Sequence, residues 1–196
     1  MRIQLFGLAL ASLSTALATP LTTRADLLYP YATYRYWVNT GNFKEDPQDQ
    51  LLVNKNGNLA DETTGIVTFN IPSSASGHKC KLLFDLWARD VSTGSQSADV
   101  FTATKPTGAS ISAEGDAALK VLSKETAEVV VQSRDRHVGR IKAVIPGSAE
   151  WTMAYEGYPE FDCPAGQMVG FEFVGVGDAV AIRWDIGVTG PRVQVV

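Results

Sequence analysis

Cysteine and histidine each occur only twice in this 196-residue chain, as Cys80, Cys163, His78 and His137. Chemistry that relies on clusters of thiolate or imidazole ligands therefore has little to draw on. A basic excess is missing too: 17 Lys and Arg face 21 Asp and Glu. That removes the cationic stripe on which nucleic-acid binding rests, so no nucleic-acid partner is expected. After Ala18 the apolar runs are as short as Val129-Val130-Val131, against the roughly 20 residues that span a bilayer. The closing Arg192-Val193-Gln194-Val195-Val196 falls short of the hydrophobic tail of about 10–20 residues in a lipid-anchor signal, so no membrane anchor is expected. No Asn-x-Ser/Thr acceptor and no Gly-x-Ser-x-Gly nucleophile elbow occur. Gly175-Val176-Gly177 lacks the third glycine and the strand-helix context of a dinucleotide fingerprint, and reads as a turn between strands. Neither a cofactor nor a metal is implied.

What is present begins with address. Met1-Arg2 is a short positive start, Leu5 to Leu17 is mostly apolar, and Ala16-Leu17-Ala18 is a small-x-small exit. This order predicts a secretory leader over residues 1–18, cleaved before Thr19, and a secreted, extracellular protein. Residues 19–26 read as a disordered lead-in, and residues 27–196 as one domain, long enough to bury a substantial core. Only Arg2 leaves with the leader, so 16 basic residues remain against 21 acidic ones, a balance of −5. In an oxidising compartment Cys80 and Cys163 are most simply one disulfide. The competing reading is a metal site built from His78, Cys80, Cys163 and His137, whose His-x-Cys spacing matches the usual zinc patterns poorly.

Strand patterning dominates the rest. Leu27 to Val38 is dense in aromatic and β-branched residues and reads as strand; because Pro30 cannot donate to a ladder, the segment sits at a sheet edge or begins a strand there. Asn39 to Gln50 is polar and reads as a loop, and Asn56-Gly57 marks a turn. Val67, Phe69 and Ile71 alternate with Thr68 and Asn70. Cys80, Leu82, Phe84 and Leu86 form a second such row. The short polar link between these runs predicts that they pair antiparallel. Asp99 to Thr104, Val129 to Gln132, Arg140 to Ile145 and Trp151 to Tyr155 are further short strands. Lys120 to Arg140 reads as helix or irregular strand. In the last third Val169, Phe171 and Phe173 alternate cleanly, as do Val180, Ile182, Trp184 and Ile186. Eight to ten short strands with Gly/Pro/Ser turns predict an all-β, single-domain antiparallel β-sandwich with at most one short helix; a barrel is the alternative.

Three segments, in this order, carry a resemblance. They are Leu28-Tyr29-Pro30, Gly65-Ile66-Val67-Thr68-Phe69-Asn70-Ile71-Pro72 running on to Gly77-His78-Lys79-Cys80, and Phe161-Asp162-Cys163-Pro164-Ala165-Gly166-Gln167, with Ile145-Pro146-Gly147 between the last two. The chain resembles the But-two C-terminal domain family, common among secreted fungal proteins, over about Leu27 to Val196. The charged stretch Lys120 to Arg140 is unusual for it and reads as an insertion. The family's name comes from a protein of ubiquitin-like conjugation, an intracellular role at odds with the leader. The resemblance implies a secreted protein of unassigned role and a structural bridge between the two cysteines. It carries over no catalytic residue.

Two chemistries compete for a secreted β-sandwich. A glycosidase needs two carboxylates facing one sugar bond, and Glu160, Asp162, Glu172 and Asp185 are the candidates; ordinary solvated carboxylates are the alternative. A Ser-His-Asp site would need His78, in a turn, or His137, in the charged run Ser133 to His137, and both read as surface histidines. For binding, Tyr29, Tyr31, Arg35 and Trp37 share one face of an extended strand with Thr33, and such a row can stack on sugars or anchor a protein. Its alternative is burial under a neighbouring loop. The expectation is a non-enzymatic extracellular protein that binds a cell-wall polysaccharide or a protein partner. A glycoside-acting enzyme is the rival.

Overall fold

Period-two patterning separates the two layers of the molecule. The computed structural model describes residues 26–103 and 134–196, so the leader, residues 19–25 of the lead-in and the strand expected at Val129 to Gln132 lie outside the described residues. The strands are β1 (Leu27–Leu28), β2 (Ala32–Trp37), β3 (Asn42–Glu45), β4 (Val53–Lys55), β5 (Thr63–Asn70), β6 (Lys79–Leu86), β7 (Val91–Gly94), β8 (Ser97–Ala103), β9 (Arg134–Lys142), β10 (Gly147–Ser148), β11 (Glu150–Ala154), β12 (Glu160–Asp162), β13 (Met168–Gly175), β14 (Val180–Arg183) and β15 (Gly190–Val195). Helix is confined, among the described residues, to single 3-10 turns at Leu59–Asp61 and Ser73–Ala75.

A five-stranded sheet runs β1-β15-β6-β10, with β12 also on β6. A ten-stranded sheet runs β11-β9-β8-β13-β5-β4-β14-β7, with β2 on β5 and β3 on β2. Every pairing is antiparallel. The protein is an all-β antiparallel sandwich, as its sequence predicts.

The core lies between the sheets. Leu82, Phe84 and Leu86 of β6 meet Val67, Phe69, Val100, Phe171 and Phe173 of the large sheet, all buried. Phe84 packs against Phe173 at 5.3 Å and edge-on to Trp184 at 5.4 Å. These apolar rows remove enough surface from water to hold the layers together. Cys80 and Cys163 are disulfide-bonded across 5.0 Å between their Cα atoms, tying β6 to the segment after β12. This excludes the His/Cys metal alternative, since the thiols are consumed.

Three expectations are corrected. The segment Leu27 to Val38 is not one strand: β1 joins β15 in the small sheet, while β2 joins β5 in the large one. Pro30 lies where the chain changes layers. The runs β5 and β6 do not pair; their connection also crosses between sheets, so their apolar rows face each other instead of lying side by side. Asn39 to Gln50 contains β3, which adds to β2 by backbone pairing that its polar side chains do not advertise. Of the stretch Lys120 to Arg140, read as helix or irregular strand, the described part from Arg134 belongs to β9, and bulges in its pairing with β8 make it the irregular strand. One more row departs from expectation. Thr64 and Thr68 of β5 are buried, although they point away from the core. Tyr34 and Tyr36 of β2, Ile66 of β5 and Ala103 of β8 form a second apolar cluster with Ala32 and Val38, and Glu172 beside it is 1 % exposed and accepts a hydrogen bond from Thr64 at 2.8 Å.

Candidate functional site

At the β12 end of the sandwich the layers part into a cleft of about 860 Å³. One wall is β12 with Lys79 of β6. The other is Thr102 and Ala103 of β8, Arg136 of β9, and the turn holding Glu156, Gly157 and Tyr158. Its aromatic lining is preorganised: Tyr158 stacks on Phe161 at 5.1 Å and meets Phe171 edge-on at 6.2 Å. Phe161 also packs edge-on against Phe171 at 5.9 Å. Burial pushes the Tyr158 phenol up to about 12, with Arg136 pulling the other way and Glu156 adding to the rise. A buried phenol resists ionisation because the phenolate would lose its water.

The rim alternates in sign. Asp162 pairs with Lys79 at 2.6 Å, Glu160 with Lys81 at 3.6 Å, and Glu156 with Arg136. The β12 backbone is half satisfied by β6. Leu82 N–H donates to Pro159 and Cys163 N–H donates to His78. Antiparallel alternation then aims the N–H and C=O of Phe161 at Cys80 and those of Asp162 away from the sheet. The site thus offers an apolar lining, paired charges of both signs and a strand edge that is free among the described residues. That suits binding of an extended polar chain with some apolar side chains.

The four carboxylates do not converge. Glu160 and Asp162 line the cleft, about 6.6 Å apart along the strand backbone, but their side chains are 55 % and 89 % exposed and held by lysines. A general acid needs a desolvated carboxyl. Glu172 is sealed against Thr64 on the far face of the large sheet, and Asp185 follows β14 outside the cleft.

The aromatic row is divided as well. Tyr29 and Tyr31, 51 % and 37 % exposed, sit where the chain changes sheets. Arg35 lies over the Trp37 ring at 4.6 Å and donates to Gln50 at 3.2 Å. Burial pulls its guanidinium below the ordinary arginine value, with Asp61 opposing. Trp37 and Arg35 therefore spend their surface largely on each other.

His78 is exposed beside the disulfide, its backbone in turn and strand bonds. His137 is stacked on Phe101 at 4.8 Å and edge-on to Tyr155 at 5.3 Å. Its Nε2 is 3.2 Å from an Asp99 oxygen that already accepts from Arg140 Nε at 2.7 Å. That hydrogen bond is the chief reason the Arg140 guanidinium is held above its ordinary value.

Sequence reasoning missed Arg136, Glu156 and Tyr158. The signal was faint: Glu156-Gly157-Tyr158-Pro159 is a turn motif, and nothing in it says that an aromatic floor lies beneath.

A family model described as the Ubiquitin 3 binding protein But2 C-terminal domain matches residues 43–185. The match includes the cleft strands β12 and β13 and leaves β1 and β2 outside. No curated protein matches the chain.

Proposed function

Because this chain belongs to the But2 C-terminal domain family, we propose that it is a non-enzymatic, secreted binding domain that receives an extracellular protein partner in the cleft beside β12. The observation that carries this reading is the rim. Lys79–Asp162, Lys81–Glu160 and Arg136–Glu156 are already paired, so the charges are arranged to match a complementary surface and not to move protons. The protein for which the family is named is described as a ubiquitin 3 binding protein, which supports a protein ligand. Secretion is supported by the leader-like first 18 residues and by the disulfide, since such bonds persist in oxidising compartments. The dispersal of Glu172 and Asp185 counts against the glycoside-acting rival.

The test is site-directed photo-crosslinking from Gln167, on the cleft lip, in an extracellular protein fraction, with sugar release from wall polysaccharides measured in parallel. One discrete cross-linked partner is expected. Glu160→Lys with Asp162→Lys should reduce its yield by about tenfold, since like charges across an interface are repulsive. Cross-linking indifferent to the double charge reversal would refute the cleft as the binding site, and sugar release would revive the carboxylates.

A further inference from the structure

Outside the cleft, one exposed aromatic is presented by a built support. Trp87 follows β6 and is 58 % exposed, and Val188, in the turn before β15, is 39 % exposed. Burial is the ordinary fate of a tryptophan. The two turns are clamped by a single buried side chain. Asp90 Oδ2 accepts the N–H of Trp87 at 2.6 Å, and its Oδ1 accepts the N–H of Asp185 at 3.1 Å. Each turn is also closed on itself: Asp90 N–H donates to Trp87, and the N–H groups of Val188 and Thr189 both donate to the Asp185 carbonyl. Thr189 Oγ1 accepts from Asp185 N–H at 2.9 Å, and Arg183 donates to the Arg89 carbonyl at 2.7 Å. The backbone that carries Trp87 is thus fixed from both sides.

The polar side chains on these two turns differ from those elsewhere. Arg89 and Asp185 are exposed, and neither the Arg89 guanidinium nor the Asp185 carboxylate has a side-chain partner among the described residues. At the cleft rim the acidic side chains are each engaged by a cation, and at β2 Arg35 is engaged by Trp37 and Gln50. An exposed apolar ring on a pair of joined turns that also carry an uncommitted fork of donors and an uncommitted pair of acceptors suits one class of ligand. A pyranose ring has an apolar C–H face, which covers an indole, and equatorial hydroxyls at its edge, which both donate and accept. Two exposed apolar side chains are too little for the apolar core of a protein interface, which buries about 800 Å² per partner.

We infer that the Trp87 turn is a second binding site, a stacking platform for a pyranose unit of an extracellular polysaccharide, with Arg89 and Asp185 binding its hydroxyls. It is separate from the cleft and stands or falls independently of the partner proposed there. Rigidity matters to it, since a platform ordered before binding loses little entropy when the sugar arrives.

The test incubates the purified protein with insoluble chitin, β-glucan, xylan and cellulose and measures depletion from solution. Retention on at least one polymer is expected. Trp87→Ala should weaken it by about tenfold, an effect in the range of a lost anchor residue, while Leu59→Ala, at an equally exposed apolar side chain elsewhere, leaves it unchanged. The Arg89→Ala, Asp185→Asn double variant keeps every backbone bond of the clamp and should weaken retention several-fold, so it decides the matter even where the alanine variant folds poorly. No depletion on any of the four polymers overturns the proposal. So does wild-type retention by either Trp87→Ala or the double variant, or an equal loss in Leu59→Ala.

Discussion

Tyr158 and Tyr34 are largely buried, and both phenols are pushed up to about 12. For Tyr158 the cause is chiefly burial against Phe161 and Phe171. For Tyr34 it is burial in the outer cluster, with the Glu45 carboxylate adding to it. The consequence for stability has a definite sign. Below pH 10 these tyrosines are protonated whether the chain is folded or not. Between about 10 and 12 the unfolded chain releases protons that the folded one retains, so stability falls as pH rises through that window. Melting temperatures taken from pH 9 to 12 should fall, and Tyr34→Phe with Tyr158→Phe should flatten the fall; an unchanged slope in that variant would show that other groups are responsible. Neither burial is visible along the chain. Tyr29, Tyr31, Tyr34 and Tyr36 alternate through one aromatic segment, yet two are exposed and two buried, because only the last two lie within β2 on the large sheet.

Elements owe their placement to a few cross-links between turns. Asp90 is the clearest case, one carboxylate accepting from the turns after β6 and after β14. Asp90→Ala leaves the Trp87 N–H without this acceptor and the Asp185 N–H with Thr189 Oγ1 alone, and should cost about 2 kcal/mol, the scale of hydrogen bonds to a charged group. Denaturant unfolding measures this, and Asp90→Asn, which keeps one acceptor, should lose roughly half as much. Equal stability of all three proteins would mean that water replaces the clamp at no cost. At this scale the sequence is half legible. The alternation in β6 and β8 reads directly, since each buries every second residue. The pairing of β5 with β6 does not: a short polar link serves a hairpin and a crossover equally well, and what separates them is that Val67, Phe69, Leu82 and Phe84 need one another's surface. β5 misleads further, because its outward Thr64 and Thr68 look solvated and are buried.

For the whole molecule the Cys80–Cys163 bond closes a span of 83 residues. In the chain-entropy model a loop of that length is worth about 4–5 kcal/mol through restriction of the unfolded chain. Reduction, or Cys80→Ala with Cys163→Ala, should lower the melting temperature in one cooperative step; melting indifferent to reductant would show that the bond adds little. The composition, the two cysteines and the period-two rows were enough to specify an all-β sandwich with one bridge, because alternation and thiol pairing are properties of neighbours and of compartment. The family was also legible, in short motifs spread from residue 28 to 167 and matched over residues 43–185. Which carboxylates stand together, which aromatics are free, and where a ligand fits were decided only by tertiary structure. Each depends on which sheet a strand joins, and that is fixed by packing between layers, where residues far apart in the chain, such as Thr64 with Glu172 or Asp90 with Asp185, become neighbours.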